Sequence, residues 1–284
     1  MIDELKELFK YRNLLAQLVV RDLKVRYKNS VLGFLWSLAV PLVQVATITI
    51  MMKYLMRVDI PNYSAYLLVG YLPWMFFQMT LLDSSQIILS HRDLLRKVYF
   101  PREVLPISVV IANLIHFALA LMVFFAYLII YIHFFLDGRG ILITTLWLPV
   151  LVLIQLLLMT GLTFFISCLN VFFEDTKYLL SVLLNIFFYL TPVMYVSELV
   201  YVQLPEKYQP LLYKLYLLNP INMLTDAYRK TLLPPFSGVF AGSNTQSLPL
   251  DYWMLGICAI VSVLVAVAGY AFFNARKWIF AERI

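Results

Sequence analysis

The 284-residue chain is 62% hydrophobic and 13% charged, with a mean hydropathy of +0.83. A soluble domain has roughly 25% charged and about 45–50% apolar residues, so this chain has too little polar surface to enclose its apolar residues in water. The composition excludes a soluble domain and predicts an integral membrane protein. Since the basic residues behind the net charge of +6 flank long apolar runs, they indicate orientation in a membrane and not a nucleic-acid partner.

The first segment of the chain, residues 1–28, alternates charged and apolar residues. Apolar side chains recur at i, i+3 and i+4 from Leu5 to Val19, and most basic side chains fall elsewhere. This spacing predicts an amphipathic helix in the inner membrane interface. The helix is either an anchoring flank or, in addition, part of a docking site for a cytoplasmic partner.

Six stretches without Asp, Glu, Lys or Arg are long enough for a membrane-spanning helix, which needs about 20 apolar residues. These stretches are 29–52, 60–82, 104–136, 140–173, 178–197 and 252–275. The spans predicted from them are about 31–55, 64–89, 104–135, 141–169, 178–197 and 252–275. A seventh uncharged stretch, 231–250, is rich in Pro, Gly, Ser and Asn and is typical of a loop. The predicted fold class is therefore an all-α integral membrane protein with six transmembrane helices in one domain, 1–284.

Orientation follows from the positions of Lys and Arg. They are concentrated in 1–30, 91–103 and 276–284, and cytoplasmic loops carry the excess of positive charge. We therefore expect these segments and 170–177 on the cytoplasmic side, with both chain termini inside.

The second of these segments reads SHRDLLRKVYFPREVLPI from residue 90. Ser90 and Asp93 are spaced like a capping box, and Phe100 precedes a proline and so avoids helical geometry. The pattern predicts a short charged cytoplasmic helix at about 90–100, although a solvated turn fits it equally well. In the third inner segment, Glu174 and Asp175 precede the fifth span, where acids favour a helix N-terminus, so capping alone could account for them.

The outer region, about 198–240, contains two short apolar runs separated by Asn219 and Pro220. The runs predict two short helices that are re-entrant or lie on the outer leaflet. Aromatic residues crowd the end of the fifth span and this region. Aromatic rings are common at membrane interfaces in any protein, so these residues could simply lie there. Alternatively, some of the rings line a path along which the faces of sugars slide. The candidate channel aromatics are Phe187, Phe188, Tyr189, Tyr195 and Tyr201.

Asp83 is the one acid within 60–90, and an intramembrane acid is a functional-site hypothesis by default. A paired or hydrated carboxylate is the alternative. His116 and His133 have no Cys, Asp or Glu at ligand spacing, so no metal site is predicted. None of the nine glycines is followed by Lys, which excludes a phosphate-binding loop. We therefore expect no cofactor in this chain, and any ATP must be bound by another chain.

The segments RDLKVRYKNSVLGFLWSLAVPL, LLRKVYFPREVLPI and LYLLNPINMLTDAYRKTLL resemble the membrane subunits of bacterial polysaccharide ABC exporters. These type-2 permeases move O-antigen or teichoic acid polymers on a lipid carrier, and the resemblance extends from about residue 12 to 275. It implies a homodimer in the bacterial cytoplasmic (inner) membrane that carries two ATPase subunits binding ATP-Mg. It also implies that the 90–100 helix is the coupling helix that contacts the ATPase.

The coupling residues that the resemblance implies by position are His91, Asp93, Leu94, Arg96 and Lys97, together with Glu174 and Asp175. One departure is Glu174, where the family often has a basic residue.

The favoured function is export of a lipid-linked polysaccharide, with O-antigen preferred to teichoic acid. A type-2 permease for drugs or lipids differs only in substrate. A membrane glycosyltransferase would need clustered acids or an Arg-rich loop, and the loops are short. An ion-coupled carrier is disfavoured because the chain has one mid-span acid and no visible inverted repeat.

Overall fold

The computed structural model describes residues 10–27, 35–135, 142–240 and 242–280. These residues are mostly helical, as predicted, with one short β-hairpin that was not predicted. In chain order the elements are α1 Arg12–Tyr27, α2 Leu35–Ile50, α3 Tyr63–Ser90, α4 Arg92–Lys97, α5 Val104–Phe135, α6 Leu148–Phe172, α7 Thr176–Leu190, α8 Ser197–Gln203, α9 Gln209–Leu217, α10 Pro220–Leu232, β1 Ser237–Phe240, β2 Ser243–Gln246 and α11 Tyr252–Arg276.

Within the described residues, four helices are long and apolar enough to cross a membrane: α3, α5, α6 and α11. Two shorter apolar stretches, Ala39–Leu55 and Thr176–Leu190, coincide with the first and fifth predicted spans. The π-helical turn Met51–Leu55 extends α2. Residues 1–9 of the predicted interface helix and residues 31–34 of the first predicted span lie outside the described part of the chain.

Helix α7 ends earlier than the sequence predicted. The span was expected to reach residue 197, but the helix stops at Leu190 and Thr191 is extended. The cause is Pro192, which restricts the residue before it and has no N–H to continue the helix. At about 1.5 Å per residue, α7 is roughly 22 Å long, shorter than a hydrocarbon core of about 30 Å.

Helix α3 lies at the centre of the bundle. Its most apolar window is 78% buried, against 22% for α11, because α2, α5, α6, α7 and α10 all pack on it. Two of its buried polar side chains are satisfied locally: the Thr80 and Ser84 hydroxyls donate to carbonyls of the preceding turn. The Gln155 side chain on α6 donates to the carbonyl of Pro73, 2.9 Å away. A polar central helix is thus possible because each hydroxyl has an acceptor.

The helices run back and forth between two ends. At one end, called the α4 end, Arg92 lies 3.5 Å from Glu174 and Lys277 lies 2.5 Å from Glu103. The other end, called the α10 end, holds α8, α9, α10 and the hairpin. There the backbones of Asp59 and Val239 exchange two hydrogen bonds of 2.9 Å, which join the α2–α3 connection to β1.

The prediction of two short helices at the α10 end was incomplete. The segment forms three helices, and α10 neither lies on a surface nor is apolar: eleven of its thirteen residues are buried. Asn219 caps it by accepting from the backbone N–H of Ile221. Helix α10 packs between α3, α6 and α11, so its polar side chains are enclosed by protein.

The short helix of the 90–100 segment is present as α4, but its predicted cap was wrong. Ser90 is the last residue of α3, and its hydroxyl donates to the Ile87 carbonyl. His91 takes the N-cap position, and Val98, already extended, ends the helix before Phe100.

Close packing of α6 and α11 gives a first prediction. A Cβ on Gly161 would lie 2.3 Å from the Val265 carbonyl oxygen, which is backbone and cannot move aside. Gly161→Ala should therefore lower the free energy of unfolding by about 1–3 kcal/mol, measured by thermal unfolding in detergent. Gly256→Ala on α11, with open space around its Cβ position, is the matched control. Equal stability of the two variants would contradict the packing argument.

Candidate functional site

The predicted coupling residues of α4 divide into exposed and inward-facing side chains. Asp93, Arg96 and Lys97 are exposed, whereas Leu94 is half-buried. Leu94 packs against the apolar cluster that also contains Leu18 of α1. The exposed face of α4 is therefore charged, and it carries both acidic and basic side chains within about two helical turns.

His91 is buried, unlike the surface contact that the resemblance implied. Its Nδ1–H donates to the Ile87 carbonyl, 2.8 Å away, which leaves Nε2 as the acceptor of a hydrogen bond from Arg21 of α1. Burial, together with the Arg21 guanidinium, holds the pKa of His91 below its usual value. A neutral His91 thus ties α1 to the start of α4.

Glu174 and Asp175 lie in the turn between α6 and α7, and both are exposed. Glu174 pairs with Arg92, so the structure brings the two predicted coupling segments together. Asp175 occupies the N-cap position of α7 without a side-chain cap bond. Asn170 takes that role, because its Oδ1 accepts from the backbone N–H of Lys177 at 3.2 Å. Side-chain capping of α7 therefore does not explain why Glu174 and Asp175 occupy this turn.

A buried ion pair that sequence reasoning missed fixes the segment after α11 to the α4 end. Lys277 Nζ lies 2.5 Å from Glu103 Oε1, and Arg102 donates to the Lys277 carbonyl. The Arg102 guanidinium also lies 5.9 Å from the centre of the Phe280 ring. The segment Pro101–Glu103, which precedes α5, is thus a structural anchor.

The five predicted channel aromatics do not share one surface. Phe187 and Tyr189 are exposed on α7, at 41% and 69%. Phe188 turns inward, with its ring centre 5.7 Å from that of Trp74 on α3. The side chains of Phe188, Tyr189 and Met194 line a groove of about 550 Å³ between α7 and α2.

Tyr195 and Tyr201 serve local packing. The Tyr195 hydroxyl donates to the Leu190 carbonyl at 2.8 Å and contacts the Tyr216 hydroxyl at 3.0 Å. The Tyr201 ring packs edge-on against Tyr213. Both side chains are half-buried, so they shape the turn and helices after α7.

Asp83 is paired, which was the second of the two sequence interpretations. Its Oδ2 accepts from the Asn113 side chain on α5 at 2.9 Å. The pair lies in the wall of a groove of about 710 Å³ between α1, α3 and α5, which Arg21 and His91 also line. Among the described residues, no group of three or more His, Cys, Asp or Glu is placed to hold a metal ion.

The densest group of buried charges lies at the α10 end. Arg229, 2% exposed, donates to the carbonyls of Tyr66, Pro192, Val193 and Tyr195. Its guanidinium carbon also lies 4.0 Å from the centre of the Tyr66 ring. We call this arrangement the Arg229 clamp.

Beside the clamp lies a second group, here called the acid–lysine cluster, formed by Ser197, Glu198, Asp226 and Lys230. Lys230 Nζ is 2.7 Å from Asp226 and 3.7 Å from Glu198. The Ser197 hydroxyl donates to Asp226, and the backbone N–H of Leu248 donates to Glu198 at 3.2 Å. The cluster therefore joins α8, α10 and the segment before α11.

Burial, followed by the charge of Asp226, raises the pKa of Glu198, while Lys230 acts in the opposite direction. The sequence carried one signal for this cluster, the i, i+4 spacing of Asp226 and Lys230. It carried no signal for the involvement of Glu198.

Comparison with known proteins defines the class. The family model of the ABC-2 type transporter matches residues 13–233, which include α4, the clamp and all four residues of the cluster. This chain belongs to the ABC-2 type transporter family. The family consists of transporters, so the chain is a multi-pass membrane protein and not an enzyme.

Curated relatives match this ABC-2 transporter over almost its whole length. A protein of Myxococcus xanthus named O-antigen export system permease protein RfbA is 34% identical over 100% of both chains. Two proteins of Klebsiella pneumoniae with the same name are 31% and 30% identical, each over 95% of this chain and 94% of its own.

The acid–lysine cluster gives a second prediction. Lys230→Met leaves two buried carboxylates without their cation and should lower the free energy of unfolding by about 3–5 kcal/mol, measured by thermal unfolding in detergent. Lys214→Met, which removes an exposed lysine of α9, is the control.

The pH dependence of that variant has a defined sign. Because the folded-state pKa of Glu198 is raised, the folded state binds its proton more tightly than the unfolded state. The Lys230→Met variant should regain stability relative to the unmutated chain as the pH falls from neutral toward about 4.3, the ordinary glutamate value. Loss of further stability over this interval would contradict the prediction.

Proposed function

We propose that this chain is the permease subunit of an ATP-driven exporter that moves a lipid-linked polysaccharide of the O-antigen type out of the cytoplasm. The observation that carries the proposal is similarity over nearly full length to three relatives named as O-antigen export permeases. The bacterial cytoplasmic membrane is the location that such a function requires, since the polymer has to leave the cytoplasm.

In this proposal the single domain crosses the membrane six times, with α2 and α7 as the first and fifth spans. Helix α7 is short for a bilayer, and the turn that follows it would lie within the outer half of the membrane, enclosed by α10 and α3. Such irregular backbone is tolerated where protein covers it. The basic α4 end is cytoplasmic, and both chain termini are cytoplasmic.

The transport path lies between two copies of the chain. Supporting this, α2 and α7 pack chiefly on α3 and leave apolar faces exposed: Val43 is 64% exposed and Val182 57%. In a dimer those faces would meet or line a channel. Phe187 and Tyr189 are the two proposed channel aromatics that α7 presents outward, where flat amphipathic rings suit sugar faces.

Two cytoplasmic ATPase subunits would bind ATP-Mg and drive the cycle. The proposed contact surface is the charged face of α4, with Asp93, Arg96 and Lys97, and the adjoining Glu174. A partner that pushes on α4 also acts on α7, because Arg92 and Glu174 join α4 to the turn that starts α7. Force from ATP-driven closure thus reaches a helix beside the proposed path.

The contact surface gives the third prediction. The double variant Asp93→Ala, Arg96→Ala should weaken binding of the co-expressed ATPase about tenfold, or ~1.4 kcal/mol, because it removes two charged contacts. Co-purification and ATPase activity of the reconstituted complex measure this. Glu206→Ala, Lys207→Ala, which removes an exposed acid and base at the α10 end, is the matched control.

Equal ATPase binding by the double variant and the control would overturn the role of α4. A chain that co-purifies with no ATPase and binds sugar nucleotide would overturn the exporter proposal as a whole.

A further inference from the structure

The turn after α7, Thr191–Val196, is held chiefly by one side chain, that of Arg229. The Tyr63 hydroxyl of α3 makes one further bond to it, to the Met194 carbonyl. Within the described residues, the hydrogen bonds of the Arg229 guanidinium go to carbonyl oxygens and not to carboxylates, and three of those carbonyls belong to this turn. The fourth is that of Tyr66 on α3. Arg229 therefore joins three elements, α3, α10 and the turn, through one planar group.

The chemistry of arginine suits this position. A guanidinium presents five N–H donors in a rigid fork, so it can serve acceptors on two sides at once. The positive charge also lies against the carbonyls of Pro192 and Val193, which follow directly on the C-terminal end of α7, where the helix dipole is negative. Lysine is a point charge on a flexible stem and cannot reproduce the fork.

The surroundings leave the guanidinium almost no freedom. The Tyr66 ring covers one face, and a Cβ on Gly70 would lie 2.4 Å from Arg229 Nη2. Gly70 is thus required for the close approach of Arg229 to α3. The clamp is a built site, because its geometry depends on a small residue as well as on the arginine.

The clamp and the acid–lysine cluster hold different parts of the chain. The cluster secures α8 to α10 through Ser197, Asp226 and Lys230. The clamp secures the turn to α3 and α10. Loss of the clamp would therefore remove three of the hydrogen bonds that hold the turn, while α8 and α10 stay joined and the Tyr63–Met194 bond remains.

The turn after α7 contributes a side chain to the groove beside the proposed transport path. Met194 belongs to it, and Met194 lines the groove between α2 and α7 together with Phe188 and Tyr189. If α2 and α7 border the path, the turn sets the width and ring positions at the outer end of that path.

We propose that Arg229 is a positioning residue for export, which holds the turn after α7 so that the outer end of the path stays closed at rest and aligned during transport. This inference rests on the proposed export function. It assigns to a buried arginine a part in transport that does not involve contact with the polymer.

The test uses the full complex with its ATPase, reconstituted in vesicles. The variants are Arg229→Lys, which keeps the charge, Arg229→Gln, which removes it, and Gly70→Ala, which displaces the guanidinium and leaves Arg229 in place. Gly256→Ala is the matched glycine control. The readouts, normalised to assembled complex, are polymer exported per ATP hydrolysed and leak of a small dye through the resting complex.

We expect Gly70→Ala and Arg229→Gln to raise the dye leak and to lower polymer exported per ATP by about fivefold or more, the range of a typical coupling change. Arg229→Lys should keep part of the resting closure, so its dye leak should be lower than that of Arg229→Gln. The polymer exported per ATP should be retained to a smaller extent than the closure. Gly256→Ala should match the unmutated complex in both readouts.

Three outcomes would overturn the inference. In the first, the assembled variants export and leak like the unmutated complex, so Arg229 acts only in stability. In the second, Gly70→Ala fails to assemble at all, so the clamp acts in folding. In the third, Arg229→Lys behaves as the unmutated complex in both readouts, so a point charge suffices. An unmutated complex that moves no polymer would instead refute the proposed function itself, which separates the two failures.

Discussion

Each buried polar group in this bundle needs a partner from the protein, since the helices around it are apolar and an unpaired group there costs several kcal/mol. Several buried groups are satisfied by long-range pairs: Asp83 with Asn113, Glu103 with Lys277, and Gln155 with the Pro73 carbonyl and the Tyr228 hydroxyl. Each pair joins separate elements of the chain. The positions of the helices thus depend on where these partners meet, as well as on apolar packing.

Helix α7 runs between the α4 end and the α10 end of the molecule and has a contact at each. Its first turn follows the Arg92–Glu174 contact, and its last turn runs into the segment held by Arg229. Between them lie fifteen residues with one fully buried side chain, Leu184. Helix α7 thus connects the exposed Arg92–Glu174 contact at the α4 end with the turn that Arg229 holds at the α10 end.

Several features of the fold and site followed from the sequence because their causes are local. The charge-free runs predicted the bounds of α5 and α11 within a few residues, and the break at Phe100-Pro101 indicated a short helix before it. The sequence also marked α4 as charged and exposed. The early end of α7 also has a local cause, Pro192. The sequence prediction missed it because the uncharged run continues past this proline to residue 197.

What the sequence by itself determined was the class: so apolar a composition requires membrane helices, whatever their packing. The tertiary structure alone decided which polar residues are buried. His91, in a charged segment, turns inward because Arg21 and the Ile87 carbonyl supply both of its hydrogen bonds. Arg229 is buried because backbone carbonyls from two distant segments converge on it. Every residue has a backbone carbonyl, so the sequence does not show which carbonyls will accept a hydrogen bond from a given side chain. Only the fold could therefore reveal that site.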